Sequence, residues 1–304
     1  MKLLKNFLLL VPKKFQPLRC NVNLNIDFFY KKRKLARSSI PGGHSSSIRG
    51  AGMIFDRLVS LVENPDPRRL DIRASLRDPF EQWRVREFRQ KAAIPVLAIL
   101  DLSASMSFHG EEKNILFLKE FLKSLQRSTQ VMGDRMGLIG FDKNVREDWV
   151  FKVNQKRILD ERKIDDLFKN IKLSKGHSGI SRLLSWLPRE PGLIFFLSDF
   201  HFSLNLFEDF LTNASRHEVV PVVIQDKAEV NGWPLRGISV LSDLESGKKR
   251  LVWIGEEWRA KLKESYKKRN TKIRTMCNKH GISPLFMNGR FEAKNVSSYF
   301  LTGA

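Results

Sequence analysis

The sequence predicts an α/β protein with a doubly wound, mostly parallel sheet and helices on both faces. After residue 93 the chain alternates short, almost wholly apolar runs with amphipathic helical patterns. An apolar run without polar alternation indicates a strand that is buried on both faces. Strands of this kind, separated by helices, are typical of a parallel sheet that is covered on both sides.

The predicted elements follow one another in a regular order. Buried strands are predicted at 95–100, 136–141, 192–199, 219–224 and 283–287. Apolar residues at helical spacing predict helices over 115–125, 158–171, 180–187 and 205–215. A β-hairpin insertion is predicted at 238–254, and a helix over 256–280 follows, with Gly281 placed to cap it.

The chain divides into three regions by composition. Residues 1–50 form a basic N-terminal segment, with one alternating strand at 22–28 and a loop from Pro41 to Ser47. Residues 51–92 form a charge-dense subdomain with a strand-like pattern at 83–88. Residues 93–304 form the main α/β domain.

Charge and cysteine usage limit the setting in which the protein works. Lys and Arg number 54 against 33 Asp and Glu, a formal charge of +21, which attracts nucleic acid, anionic lipid or an acidic protein face. Cys20 and Cys277 give neither a metal spacing nor a disulfide framework, which favours a reducing compartment. We expect no cleavable signal, because Asn6 interrupts the first apolar run and no small-residue cleavage site follows, and no uncharged run reaches the length of a transmembrane helix. We therefore expect a cytoplasmic protein.

Oxygen-bearing side chains lie where the predicted strands end. Asp101 ends the first buried strand and precedes Ser103 and Ser105, which are spaced two apart; Asp199 ends the GLIFFLSD strand, and Ser178 opens a helix. Ligands collect at the carboxyl ends of strands in such sheets, so these loops converge. Carboxylates and hydroxyls suit a hard cation such as Mg²⁺, Mn²⁺ or Ca²⁺. The alternative is that the two serines cap the next helix while Asp101 bonds to loop amides.

Several motifs resemble known families. Asp101-x-Ser103-x-Ser105 resembles the DxSxS metal-ion-dependent adhesion site of von Willebrand factor A-like domains, and LSDF at 197–200 is similar to their third metal loop. Gly176-His177-Ser178 stands where these domains carry Gly-x-Thr. DPRRLDIRASLRDPF at 66–80 and WRVREF at 83–88 resemble a bacterial von Willebrand factor A-like family, number fifty-eight of the domains of unknown function. The resemblance covers residues 42 to 290.

The resemblance implies a non-enzymatic adaptor or co-chaperone. Its partner would be a MoxR-type AAA+ ATPase that assembles, activates or loads metal into a client complex, and family members occur in methanol-oxidation gene clusters. Mg²⁺, or else Mn²⁺ or Ca²⁺, would be held by Ser103, Ser105 and Ser178, with Asp101 and Asp199 acting directly or through water. An open coordination position would accept a carboxylate from the partner.

Two surface features are assigned alongside the metal site. Arg68, Arg69 and Asp71 are candidate partner contacts, although internal salt bridges would also account for them. The basic N-terminal segment would allow peripheral contact with the anionic inner membrane.

Two alternative functions stay open. A nucleic-acid-binding module is supported by the charge of +21. A metal-dependent phosphatase or nuclease built on Asp101 and Asp199 needs a general base, for which His177 and His201 are the nearest candidates. Neither a P-loop nor a nucleophile elbow is present.

Overall fold

The computed structural model describes residues 27–33, 40–107, 113–153, 159–232, 236–242 and 249–302. The strand predicted at 22–28 lies almost wholly outside these residues, and Phe28 is not part of a strand. The tip of the predicted hairpin also lies outside the described residues.

The elements have the following bounds in chain order. The strands are β1 (Pro41–Ser60), β2 (Arg84–Ala92), β3 (Pro95–Asp101), β4 (Arg135–Phe141), β5 (Val145–Phe151), β6 (Leu193–Ser198), β7 (Glu218–Gln225), β8 (Gly237–Ser242), β9 (Lys249–Ile254) and β10 (Leu285–Asn288). The helices are α1 (Ile72–Leu76), α2 (Asn114–Met132), α3 (Glu161–Lys169), α4 (Leu204–Asn213), α5 (Lys227–Asn231), α6 (Glu256–Lys279) and α7 (Ala293–Thr302). Short 3₁₀ helices lie at Pro67–Arg69, Ala104–Ser107 and Ser178–Trp186.

The central sheet has six strands in the order β10-β7-β6-β3-β4-β5. All neighbouring strands are parallel except β5, which runs antiparallel to β4 at one edge. The protein is thus a mixed α/β protein with a mostly parallel sheet. The chain leaves β3 on one side toward β4 and returns on its other side as β6, so a crevice opens between the carboxyl ends of β3 and β6.

Helices cover both faces of this sheet. Val96, Ala98 and Leu100 of β3 belong to a core that includes residues of α2, α3 and α7. Leu97 and Ile99 belong to a second core with the 3₁₀ helix at 178–186, α4 and α6. Because side chains alternate along a strand, the two cores lie on opposite faces. All seven residues of β3 are buried, as the unbroken apolar run predicts.

The helix predicted over 180–187 is a 3₁₀ helix, Ser178–Trp186, and not an α-helix. Its first turn is bonded to a neighbouring loop, since the backbone N–H of Gly179 donates to the carbonyl of Asp142 at 3.0 Å. A Cβ on Gly179 would lie 2.8 Å from the Asn144 backbone. The segment therefore packs against the loop after β4, a constraint that apolar spacing does not reveal.

The loop predicted from Pro41 to Ser47 is wrong, because these residues form the start of β1, which pairs antiparallel with β2 as a two-stranded ribbon. Gly42 is needed there, since a Cβ would lie 2.3 Å from backbone atoms of Ala93. β1 also runs through the boundary proposed between residues 50 and 51.

A buried polar cluster fixes the base of this ribbon to the main sheet. His44 Nε2 lies 2.8 Å from Oδ2 of Asp134, and the hydroxyl of Tyr30 donates to the same oxygen at 2.5 Å. Oδ1 of Asp134 accepts from the backbone N–H of Ile94 at 2.8 Å. One carboxylate thus joins the ribbon to the chain that leads into β3.

The C-terminal elements follow the prediction closely. β8 and β9 form a separate antiparallel hairpin, and α6 ends before Gly281, whose φ of +67° lies in the left-handed region. None of the described helices is both long enough and apolar enough to cross a bilayer.

Candidate functional site

Asp101 lies at the carboxyl end of β3 and is fully buried. Its Oδ1 accepts a hydrogen bond from the backbone N–H of Ser103 at 3.0 Å, and its Oδ2 accepts one from the hydroxyl of Ser198 at 2.6 Å. Each oxygen therefore has a donor among the described residues, and a carboxylate oxygen has the capacity to accept more than one bond.

Ser103 and Ser105 point toward each other in the loop after β3. Their Oγ atoms are 3.0 Å apart and both residues are buried. Ser103 also forms a parallel bridge with Ser174 from another loop. α2 begins only at Asn114, with Lys113 at its N-cap, but the 3₁₀ helix Ala104–Ser107 begins directly after Ser103, which accepts from the N–H of Met106 through its carbonyl at 3.2 Å. The other half of that alternative, a bond from Asp101 to a loop amide, is present.

Asp199 follows β6 and supplies the second buried carboxylate. Its Oδ1 accepts from the backbone N–H of His201 at 3.1 Å. Its Oδ2 is buried and has no hydrogen-bond partner in the part of the chain that the structure describes. A buried carboxylate oxygen without a donor is costly, so this atom marks a position where positive charge would be stabilising.

The two carboxylates are close enough to affect each other. Burial and then repulsion from Asp199 raise the pKa of Asp101 to about 6, although His177 and the hydrogen bonds from Ser103 and Ser198 act in the opposite direction. Two neighbouring carboxylates without a cation favour protonation of one of them. The pair would therefore gain from a bound divalent cation.

The backbone after β6 is held in a constrained shape. Phe200 has a φ of +57°, which is unusual for a residue with a side chain, and its N–H donates to Ser198 Oγ at 2.8 Å. Arg269 of α6 donates from Nε to the carbonyl of Phe200 at 2.8 Å and from Nη2 to that of Phe202 at 2.6 Å. α6 thus fixes the loop that carries Asp199.

The third predicted loop contributes a different residue from the one expected. The exposed hydroxyl of Ser178 donates to the carbonyl of Lys143 at 2.8 Å and so does not join the cluster. His177 does approach it, with Nε2 4.0 Å from Oδ2 of Asp101 and its ring 5.4 Å from that of Phe202.

A further carboxylate, missed by the sequence analysis, follows β4. Asp142 is buried and accepts from the N–H of Asn144 at 3.0 Å and from Arg146 at 3.4 Å, and it bonds the hydroxyl of Ser174. Asp142 is thus neutralised by Arg146 and positions Ser174, the bridge partner of Ser103.

Arg68, Arg69 and Asp71 lie in the connection between β1 and β2 and not at the strand ends. Asp71 caps α1 through the N–H of Ala74 at 3.0 Å and pairs with Arg86 at 2.8 Å. Arg69 pairs with Asp66 at 3.3 Å and lies over the ring of Phe88. Arg68 is exposed and has no ion-pair partner within the described residues.

The donor set decides which metal chemistry would fit. Across the described residues, no group of three or more His, Cys, Asp or Glu side chains is arranged to hold a metal ion. A cation at the β3–β6 crevice would therefore need the hydroxyls of Ser103 and Ser105 beside the two carboxylates. The unsatisfied Oδ2 of Asp199 fits such a cation.

Comparison with known proteins identifies the family. The profile described as "Protein of unknown function DUF58" matches residues 65–275, more than half of the chain. This chain belongs to the DUF58 family. Every candidate site residue, from Arg68 to Asp199, falls inside the DUF58 match.

One curated relative and two solved structures are also similar to this DUF58 protein. The "Uncharacterized protein in moxR 3'region" of Paracoccus denitrificans is 28% identical over 99 residues, which are 33% of this chain and 94% of the relative. BatB from Bacteroides thetaiotaomicron has a TM-score of 0.43 at 11% identity and covers 69% of this chain and 98% of its own. An aerotolerance-related membrane protein from Bacteroides fragilis NCTC 9343 has a TM-score of 0.37 at 12% identity, with 69% and 96% covered.

Proposed function

We propose that this DUF58 protein is a metal-dependent protein-interaction module that works with a MoxR-type AAA+ ATPase. Its fold would be the doubly wound von Willebrand factor A-like type, and its role would be to help assemble, activate or load metal into a client complex. The observation that carries the proposal is the pair of buried carboxylates, Asp101 and Asp199, with an unsatisfied oxygen on Asp199.

Four side chains would hold the cation. The hydroxyls of Ser103 and Ser105 are within 3.0 Å of each other, and Asp101 and Asp199 supply the negative charge. Mg²⁺ is the best fit to hydroxyl and carboxylate oxygens, with Mn²⁺ or Ca²⁺ as alternatives. When bound, the cation would supply a coordination position for a carboxylate of the partner.

The chain's own groups prepare this site for a partner. Ser198 and the amide of Ser103 orient Asp101, and Arg269 fixes the loop of Asp199. Such supporting contacts keep ligands at a fixed spacing before binding, which reduces the ordering cost of association.

The MoxR connection is supported by family and by one relative. The chain is a DUF58 member, and the Paracoccus denitrificans relative takes its name from the region 3′ of moxR. A role in methanol oxidation belongs to the same proposal and is one possible client setting. The overall charge of +21 would steer an acidic partner face toward the protein.

One observation favours a second candidate function, a metal-dependent phosphatase or nuclease. His177 Nε2 lies 4.0 Å from Asp101, so an imidazole is near the carboxylates that such an enzyme would use. Turnover of p-nitrophenyl phosphate or of single-stranded DNA that needs both Mg²⁺ and His177 would support this candidate over the adaptor.

Metal binding is tested first, by calorimetric titration and thermal unfolding of the full chain with Mg²⁺. At 100 times its dissociation constant, a metal stabilises the folded state by about 2.7 kcal/mol, which is several degrees in melting temperature. We expect Ser103→Ala, Ser105→Ala and Asp199→Asn to remove this gain. Asp199→Asn should also raise the stability of the metal-free protein, because it removes a buried negative charge that repels Asp101 and whose Oδ2 has no donor among the described residues. Ser181→Ala, which removes an exposed hydroxyl nearby, is the matched control.

The third loop is tested by the same titration. We expect His177→Ala to weaken Mg²⁺ binding more than Ser178→Ala, because the hydroxyl of Ser178 is bonded to Lys143. If Ser178→Ala weakens Mg²⁺ binding more than His177→Ala does, the result would support the prediction that Ser178 is a ligand.

Partner binding is tested separately, with the MoxR-type ATPase of the same organism as bait. Wild type should be retained with Mg²⁺ and released by chelator, and Asp199→Asn should fail to bind in either condition. If wild type is retained equally with Mg²⁺ and with chelator, and Asp199→Asn is retained as well as wild type, the proposal is contradicted. Capture of nucleic acid that is released by salt would instead favour the nucleic-acid-binding alternative.

A further inference from the structure

The β1–β2 ribbon ends in a connection that packs against β2, where Leu70 pairs with Val85 and Arg69 lies over the ring of Phe88. Residues 61–83 link the two strands through the 3₁₀ helix at 67–69 and α1. No described residue between 54 and 91 belongs to either core of the main domain. Val59 and Val85, which are opposite each other in the ribbon, are its buried contact. The outer surface of the connection is therefore open.

Large apolar side chains cover this surface. Val62 is 92% exposed, Leu76 82%, Phe80 77%, Ile72 62% and Trp83 57%. Single exposed apolar residues are common on proteins, but a concentration of them on one connection marks an interaction site. We name these five residues the ribbon tip.

Unpaired positive charge lies beside the ribbon tip. Ion pairs hold five ribbon arginines: Arg57 to Glu87, Arg69 to Asp66, Arg84 to Asp78, Arg86 to Asp71, and Arg89 to Asp56. Arg68, Arg73 and Arg77 are exposed, and no carboxylate of the described residues pairs with them. Glu81 is exposed in the same connection and has no ion-pair partner among the described residues, so three unpaired arginines stand against one unpaired acid and the balance is positive.

The apolar and cationic residues of α1 and its C-cap run side by side. Ile72 and Leu76 are one helical turn apart; Arg73 follows Ile72, and Arg77, the C-cap residue, follows Leu76. A long arginine side chain can direct its charged group away from an apolar neighbour, so that the apolar side chain can insert into a different environment. This pairing of an apolar row with a cationic row is typical of surfaces that enter the interfacial region of a bilayer.

We propose that the ribbon tip docks on an anionic phospholipid surface. Leu76, Phe80 and Trp83 would enter the headgroup boundary, and Arg73 and Arg77 would bind lipid phosphates. Trp and Phe favour this boundary, and a fluid bilayer conforms to side chains that project from a narrow connection. The charge of +21 would bring the protein to the membrane. The ribbon tip consists of other residues than the basic N-terminal segment and the carboxylate pair.

The test measures sedimentation of the full chain with vesicles of phosphatidylcholine alone and of phosphatidylcholine with phosphatidylglycerol. Wild type should bind the second and not the first. Arg73→Gln with Arg77→Gln should weaken binding by roughly fivefold for each arginine. Leu76→Ser with Phe80→Ser should weaken it on the order of tenfold for each residue. All four residues are exposed, so folding should be unchanged, which circular dichroism checks.

Matched controls separate docking at the tip from general attraction. Lys263→Gln with Lys267→Gln removes two exposed charges from α6, and Leu251→Ser with Trp253→Ser removes exposed apolar groups from β9. We expect both controls to bind as wild type does. Insertion is checked by fluorescence quenching with lipids brominated in their acyl chains, which should be lost in Trp83→Phe.

Three outcomes would overturn the proposal. In the first, wild type does not bind vesicles that contain phosphatidylglycerol. In the second, the α6 and β9 controls lose as much binding as the tip variants, which would indicate diffuse attraction. In the third, the tip variants abolish binding to an acidic protein while vesicle binding stays at the wild-type level, which would make the tip a protein-docking surface.

Discussion

The hydroxyl of Ser198 donates a 2.6 Å hydrogen bond to Oδ2 of Asp101, which joins the last residue of β6 to the last residue of β3. The same oxygen of Ser198 accepts from the backbone N–H of Phe200 at 2.8 Å. One buried serine therefore orients a carboxylate on one strand and the loop that carries Asp199 on the next.

Ser198→Ala should lower the free energy of unfolding by about 2 kcal/mol, because hydrogen bonds to charged groups contribute about 1.5–3 kcal/mol and both partners stay buried. Urea unfolding at neutral pH measures the change. Ser185→Ala is the control, since its exposed hydroxyl donates only to the carbonyl of Arg182, and it should stay within about 0.5 kcal/mol of wild type. Equal effects of the two substitutions would contradict a linking role for Ser198.

Arg269→Lys should weaken Mg²⁺ binding by roughly 10- to 100-fold, the usual range for residues that orient metal ligands. The guanidinium bonds the carbonyls of both Phe200 and Phe202, whereas an ammonium lacks that forked geometry. Calorimetric titration measures the affinity. Arg274→Lys, on the same helix but stacked on Phe286, should bind as wild type does. If Arg269→Lys binds Mg²⁺ as tightly as wild type, the loop keeps its shape without the two guanidinium hydrogen bonds.

Gly42→Ala should destabilise the protein by about 1–3 kcal/mol, the usual range for overpacking. The added Cβ would lie 2.3 Å from the backbone of Ala93, so β1 or the start of β3 must move. Urea unfolding tests this. Gly255→Ala is the control because the nearest atom to its Cβ is at 3.5 Å. If both variants unfold at the same urea concentration, the close approach at Gly42 is not required.

Acid should destabilise the protein through His217. Burial, with repulsion from Arg216 and Lys32, lowers the pKa of His217 to about 4, and its Nδ1 accepts from the N–H of Gly192 at 3.2 Å. An ordinary histidine titrates near 6.5, so the folded state binds the proton less readily than the unfolded state. The stabilisation from the neutral ring is therefore complete above pH of about 6.5 and is lost as the pH falls toward 4, a change of about 3 kcal/mol.

His217→Gln should remove that part of the acid sensitivity, since glutamine does not titrate. Unfolding free energies between pH 7 and 4 measure the slope, and His280→Gln should follow the wild-type profile. Parallel curves for wild type and His217→Gln would exclude His217 as the source.

The main sheet was predictable because strands that are buried on both faces appear in the sequence as unbroken apolar runs. The run from Pro95 to Leu100 predicts β3, and all of its residues are buried. β5 was missed because its strand carries the charged residues Arg146, Glu147 and Asp148 at the sheet edge. The start of β1 was missed for a different reason. Its Gly42-Gly43 pair is typical of a loop, but here it allows close approach to Ala93 and Met132. Tertiary packing at these two glycines therefore outweighs their intrinsic preference for a loop.

The candidate site was predictable in its carboxylates but not in its supporting residues. Asp101 and Asp199 follow directly from their positions after apolar runs. Asp142 obeys the same rule after β4 and could have been found by it. The choice between His177 and Ser178 depends on how the 3₁₀ helix is rotated, and residue spacing carries no information on that rotation.

β2 leads into β3 through Ala93 and Ile94 alone, and Asp101 ends that same run of chain. The ribbon therefore leaves the sheet at the edge where the parallel strands begin, while the carboxylate pair lies at the edge where they end. At 3.3 Å per residue, the seven residues of β3 separate these edges by about 23 Å. Whatever binds at the strand ends is thus kept apart from whatever the ribbon touches, and the sheet acts as a spacer of fixed length between the two.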